Sequence, residues 1–169
     1  MLLLIMVVSV VGRLRENIQA WREIGTNDEV LEWISEGVKL PFQSLPERYE
    51  HFNHKLNIAQ VKFVDSEVNK LLKTGDISRS QEKPFCINSL GCVPKKNKSY
   101  RLIVDLRSLN QNISVLYLKN EGIDVVCDLL QPNDEFISTD LKDGFHHISV
   151  HPEFRKYLGF QWKKTVLCI

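Results

Sequence analysis

A change of period near the middle of the chain constrains the fold most. From Ala59 to Lys73 the apolar Val61, Val64, Val68, Leu71 and Leu72 fall on one helical face, with Lys62, Asp65, Glu67 and Lys70 elsewhere and Gly75 placed as a stop. After the polar Ser78-Arg79-Ser80-Gln81 come two β-rich runs, Cys86 to Val93 and Tyr100 to Leu106, separated by Lys96-Asn97-Lys98-Ser99. That reads as a β-hairpin with a basic tip, so the fold class is α+β. Upstream, Leu14, Ile18, Trp21 and Ile24 predict a helix between Gly12 and Ile24, with Trp21 and Trp33 as core residues. Thr26-Asn27-Asp28-Glu29 reads as a capping box opening a second helix that ends near Gly37. Pro41 and Pro46 make the segment to about Asn57 an extended connector, on which His51 and His54 are surface residues. Downstream, the pattern predicts a helix from Asp124 to Leu130, a strand from Glu135 to Asp140, a short helix or turn over His151 to Lys156 and a strand from Tyr157 to Trp162.

Composition narrows the function. In 169 residues, 22 Lys and Arg balance 21 Asp and Glu to a net charge of +1, so any polyanion must be met by a local patch. The apolar run from Met1 to Val11 is about half the roughly 20 residues a membrane span needs, and no A-x-A-like site follows it. No membrane association and no secretion are expected, and the compartment is intracellular, cytoplasm or nucleus. Cys86, Cys92, Cys127 and Cys168 form no C-x-x-C pair, which points to reduced, structural thiols. His146, His147 and His151 lack metal-ligand spacing, because strand alternation would send His146 and His147 to opposite faces.

Two constellations carry chemistry. Around the hairpin tip, Lys95, Lys96, Lys98, Arg101 and Arg107 face the single anion Asp105, and alternation puts Arg101, Ile103 and Asp105 on one face. Such a finger can clamp phosphates, Lys as a point charge and Arg as a planar fork; the alternative is a merely solvated tip. In Ser138-Thr139-Asp140-Leu141-Lys142-Asp143-Gly144-Phe145 a strand delivers Asp140 to its end, where the carboxylate and the Leu141 carbonyl can offer oxygen ligands to a hard cation. The alternative there is that Asp140 or Asp143 caps a short helix.

Together, the stretch from Val93-Pro94-Lys95-Lys96 through Arg101-Leu102-Ile103-Val104-Asp105-Leu106-Arg107-Ser108-Leu109-Asn110 and the stretch Phe136 to Ile148 resemble two motifs of reverse transcriptases, in order, continuing through His151 to Phe160. Val11 to Arg15 and Leu40-Pro41-Phe42 further resemble the lead-in of retrotransposon polyproteins of the DIRS or gypsy type. The resemblance implies right-hand polymerase fingers plus the start of the palm, with residues 1–57 a helical lead-in and connector and 58–169 a partial reverse transcriptase domain. It implies Asp140 as the catalytic, metal-binding aspartate, with the Leu141 carbonyl as a second metal ligand. Arg101 with Lys95 or Lys96 would hold the nucleotide's triphosphate, Asp143 and Gly144 its sugar, and Phe145 would exclude a 2′-hydroxyl. Arg107 and Asn110 would face the template. The implied reaction is RNA-directed DNA synthesis on an RNA or DNA template-primer from deoxynucleoside triphosphates, with two Mg²⁺ ions. No Tyr/Phe-x-Asp-Asp turn occurs before Ile169 and no Asp-Asp pair anywhere. The chain therefore reads as truncated before the second carboxylate motif, a fragment inactive alone with the rest of the polymerase domain missing. The alternative is a non-catalytic nucleic-acid-binding remnant using the basic hairpin.

Overall fold

The structure is a computed structural model. It describes residues 10–96, 99–114, 122–131, 134, 135, 137 and 144–169, with the main chain alone at Asp124 and Phe145.

The first expected helix is two short ones, α1 (Arg13–Glu16) and α2 (Ile18–Glu23), parted at Asn17. There the carboxamide donates to the Arg13 carbonyl at 2.8 Å, a local side-chain bond that competes with helix continuation. In α3 (Asp28–Glu36) the cap is Asn27 rather than Thr26: its side-chain oxygen accepts from the Val30 amide at 2.9 Å, so a single cap bond replaces the expected Thr26–Glu29 box. Both α1 and α2 pack on α3, and of the apolar face of α3 only Ile34 is buried. Trp33 stays exposed and Trp21 half-buried, so neither is the core residue that spacing suggested.

The connector is stitched into the sheet. Val38 bridges Val150, Phe42 bridges Ile113, and β1 (Tyr49–Glu50) pairs in parallel with the start of the long central strand. Next comes α4 (Ile58–Thr74), where the sequence predicts a helix over 59–73, opened by a reciprocal Asn57/Gln60 capping box and closed by left-handed Gly75 at φ 80°. Then follow β2 (Ser78–Arg79), β3 (Cys86–Pro94), β4 (Tyr100–Asp105), the one-turn α5 (Arg107–Asn110) and α6 (Ile123–Leu129). Glu135 and Ile137 lie in no strand, and the rest of the expected 135–140 strand lies outside the described residues. The expected strand over 157–162 is shorter. Pro152–Tyr157 forms a 3₁₀ helix, and β5 (Gly159–Trp162) begins after it and turns into β6 (Thr165–Cys168).

The sheet runs β1-β3-β5-β6-β2, with β4 joined to β3 off that path. Val64 and Val68 of α4 pack on Leu90, Phe160 and Leu167, which β3, β5 and β6 present on the face that α4 covers, and on Ile77 from the turn between α4 and β2. A second cluster, Cys86, Leu109, Tyr157 and Leu158, lies under the connector. Trp162 donates through Nε1 to Asp65 at 2.7 Å and Lys163 pairs with the same carboxylate, tying the β5–β6 turn to α4. Cys86, Cys92 and Cys168 are free thiols whose pKa burial pushes up, as inert structural cysteines require.

Candidate nucleotide and template site

The hairpin owes its position to the two halves of β3. From Cys86 to Gly91 the strand is buried, held between β1 and β5 at Cys86, Ile87 and Asn88. Its outer part pairs with β4 from Ser89↔Asp105 to Pro94↔Tyr100, and the Lys95 amide donates to the Ser99 carbonyl at 2.7 Å to close the tip. Tyr100, Leu102 and Val104 face α4, with the Tyr100 and Phe63 ring centroids 5.5 Å apart. Asp105 lines the groove on the other face, whereas Arg101, which strand alternation sends there too, lines a cavity on the α4 side together with Leu102 and Val104. Lys95, Lys96 and Arg101 are exposed and, among the described residues, form no ion pair.

Between hairpin and α4 lies a cavity of about 530 Å³, lined by Lys95, Arg101, Phe63, Leu71 and, from a distant part of the chain, His146. His146 ends the 3₁₀ turn Gly144–His146. Its Nδ1 stands 3.0 Å from the Asp76 carboxylate, which also accepts the Thr74 hydroxyl. This contact holds the turn of Gly144 and Phe145 against the end of α4, beside the cavity that Lys95 and Arg101 line. The turn is 3₁₀ rather than extended, so the strand alternation expected of His146 and His147 does not apply. Among the described residues no His, Cys, Asp and Glu cluster could hold a metal ion.

On the other face of the hairpin is an open groove of about 610 Å³, lined by His51, Phe52, His54, Asp105, Arg107 and Ser108. The connector reaches it because the His51 and His54 amides donate to the Ile87 and Leu90 carbonyls. The His54 ring lies over Gly91, where a Cβ would come within 2.9 Å of it. His51 Nε2 is 2.9 Å from the Ser108 hydroxyl. Arg107 forks onto Asp105, Nη2 to Oδ2 at 2.6 Å and Nε to Oδ1 at 2.9 Å, while remaining 85% exposed. The guanidinium and the Arg107 amide hold the Asp105 pKa down to about 2.

A pH dependence follows from this pair. Because the folded-state pKa lies below the ordinary carboxylate value, Asp105 stabilises the fold above about pH 4 and loses that contribution as pH falls toward 2. Urea melts of Asp105→Asn and the parent should therefore differ at pH 6 and converge near pH 2; a constant offset across that range contradicts the assignment.

Comparison with known proteins bears on this arrangement. No family model matches the chain. Over 143 residues it is 27% identical to the Tf2-3 and Tf2-4 transposon polyproteins of Schizosaccharomyces pombe, a stretch that is 83% of this chain and 11% of each relative. Its fold matches the native protease-reverse transcriptase of prototype foamy virus with a TM-score of 0.56 at 19% identity, over 74% of this chain and 16% of that one. It also matches a foamy viral protease-reverse transcriptase in complex with double-stranded DNA, with a TM-score of 0.57 at 14% identity, over 92% of this chain and 37% of that one. The fold is reverse-transcriptase-like. It spans about a tenth of the length of the curated relatives it matches.

Within this reverse-transcriptase-like fold the predicted site residues divide. Lys95 and Arg101 share a cavity, beside the turn bearing Gly144 and Phe145, whereas Lys96 is exposed at the tip and does not line that cavity. Arg107 lines the opposite groove; Asn110, exposed on α5, does not. Asp140, Leu141 and Asp143 lie outside the described residues. Sequence reasoning missed the groove contribution of His51, Phe52 and His54, and the pairing of His146 with Asp76. The first needs knowledge that the connector pairs with β3. The second joins residues 70 positions apart, and no local pattern marks it.

Proposed function

We propose that this chain forms the nucleotide- and template-gripping part of a retroelement RNA-directed DNA polymerase. One observation carries the reading: Lys95 and Arg101 line the same cavity as His146, the residue that directly follows Gly144-Phe145. The two cations hold the triphosphate of an incoming deoxynucleotide, the arginine as a fork and the lysine as a point charge. Asp143 and Gly144 receive the sugar, and the Phe145 ring fills the space a 2′-hydroxyl would need. The template runs along the groove of His54 and Arg107, near Asn110. The exposed guanidinium of Arg107, oriented by Asp105, meets its phosphates.

The reaction served is attack of a primer 3′-hydroxyl on the nucleotide's α-phosphate, with release of pyrophosphate. Asp140 and the Leu141 carbonyl are hard oxygen donors that suit magnesium, and they would hold it. When bound, magnesium supplies charge stabilisation to the transferring phosphoryl group. The 169 residues contain no Asp-Asp pair to stand beside Asp140. Among the described residues no helix is long and apolar enough to cross a membrane. The reading places the protein in the cytoplasm or nucleus, with nucleic acid and nucleotides.

Two measurements test this. Primer extension by the 169-residue chain with Mg²⁺ and all four deoxynucleotides should yield no product. Equilibrium binding of fluorescent dTTP should weaken by about tenfold or more in Lys95→Ala/Arg101→Ala, roughly 1.4 kcal/mol or more for two charge-assisted contacts. Unchanged dTTP binding together with lost oligonucleotide binding would instead mark the hairpin as a non-catalytic nucleic-acid grip.

A further inference from the structure

A second concentration of positive charge sits apart from the hairpin. At the β2 edge of the sheet is a cleft of about 530 Å³ that shares no lining residue with either the hairpin cavity or the template groove. Five cationic side chains line it, Arg48, Arg79, Lys83, Arg155 and Lys156, against one carboxylate, Glu82. They come from four separated places: the approach to β1, β2, the segment after β2 and the 3₁₀ helix before β5. Lys83 is offset by Glu50 at 2.6 Å. Arg155 is anchored through Nε to the Val150 carbonyl at 3.0 Å, and the Lys156 ammonium lies 5.2 Å from the Tyr157 ring centroid. Arg48 and Arg79 are exposed and, among the described residues, form no ion pair. A chain of net charge +1 has gathered almost a quarter of its cations here.

The base of the cleft is fixed. Pro84 is buried against Gly159 so closely that a Cβ there would lie 2.5 Å from the proline ring. Next to it Phe85 is 37% exposed, braced edge-on by Tyr157 with ring centroids 5.6 Å apart. An aromatic ring held rigidly and left partly open beside unpaired guanidiniums suits a flat base attached to a phosphate. The concave shape does not suit a bilayer surface, and an acidic peptide would leave the ring unused.

We propose that this cleft binds single-stranded nucleic acid, with Arg48 and Arg79 on backbone phosphates and a base stacked on Phe85. The proposal rests on the cleft alone and does not depend on the polymerase reading.

The test uses the 169-residue chain carrying Lys95→Ala/Arg101→Ala/Arg107→Ala, which removes the cations of the hairpin cavity and of the template groove, and a fluorescein-labelled oligo-dT read by anisotropy. Over a salt series from ~50 to ~200 mM, adding Arg48→Ala/Arg79→Ala should flatten the log-log salt slope by about 1.4, the value for two phosphates on a single strand. Phe85→Ala should weaken binding about fivefold or more at fixed salt and leave the slope unchanged. Arg48→Lys/Arg79→Lys should restore the slope, which separates lost charge from lost folding. An unaltered slope in the alanine pair overturns the proposal. So does a polyglutamate peptide that displaces the oligonucleotide at equal concentration, since the cleft would then select carboxylates and not nucleotides.

Discussion

Asn88→Ala will lower folding stability by about 3 kcal/mol or more, the cost of leaving several buried polar groups without partners. Asn88 is fully buried on β3. Its Nδ2 donates to the carbonyls of Tyr157 and Gly159 at 2.9 and 3.0 Å, and its Oδ1 accepts the Tyr49 hydroxyl at 2.6 Å. One carboxamide thus joins β1, β3, the 3₁₀ helix and β5. Burial pushes the Tyr49 phenol pKa up, so the hydroxyl remains a donor across the ordinary pH range. Alanine removes two donors and one acceptor at once and leaves a void no water-exposed group can fill. Asn88→Asp, though isosteric, turns an oxygen toward two carbonyls and should be no better. Urea denaturation followed by circular dichroism reads the loss from the midpoint at constant slope. A change under about 1 kcal/mol would mean that the neighbours repair the network.

Phe160→Ala will cost about 3–5 kcal/mol, in the range for truncating a fully buried aromatic side chain. Phe160 is 1% exposed, paired with Asn88 on one side and Leu167 on the other, and packed under Val64 and Val68 of α4. The same ring lines the hairpin cavity, so its loss should also loosen the wall shared with Lys95 and Arg101. Phe160→Leu, which keeps most of the volume, should lose less than half as much stability. Equal losses in the two variants would show that shape, not buried volume, sets the cost.

Legibility followed period length. The seventeen residues of α4 and the paired runs of the hairpin repeat their pattern often enough to be read directly, and the first of the two motifs that resemble reverse transcriptases lies on the hairpin. The two-residue strands β1 and β2 carry no period, and only the partner strands reveal them. The helix cap moved to Asn27 because two adjacent capping residues compete and geometry chooses. Trp33 matched the apolar face of a helix yet stayed exposed, since spacing says which residues share a side but not whether anything covers it. At the site, alternation set Asp105 apart from Leu102 and Val104, but the long side chain of Arg101 reaches the cavity those two line. Alternation could not foresee that Asp105 would spend its charge on Arg107, two positions along, or that His146 would meet Asp76.

The division of β3 has a mechanical consequence. Up to Leu90 the strand is clamped: Leu90 donates to the Asn53 side chain at 2.9 Å and accepts the His54 amide, while Ile87 and Asn88 pair with β5. From Gly91 to Pro94 its ladder partner is β4 alone. The hairpin is thus a bracket, rooted in the sheet and propped along one face by α4, with Tyr100 resting on Phe63 near the tip. A pull on the tip lysines is therefore shared between the root at Leu90 and that aromatic prop, and removing the prop would leave the root to carry the whole load.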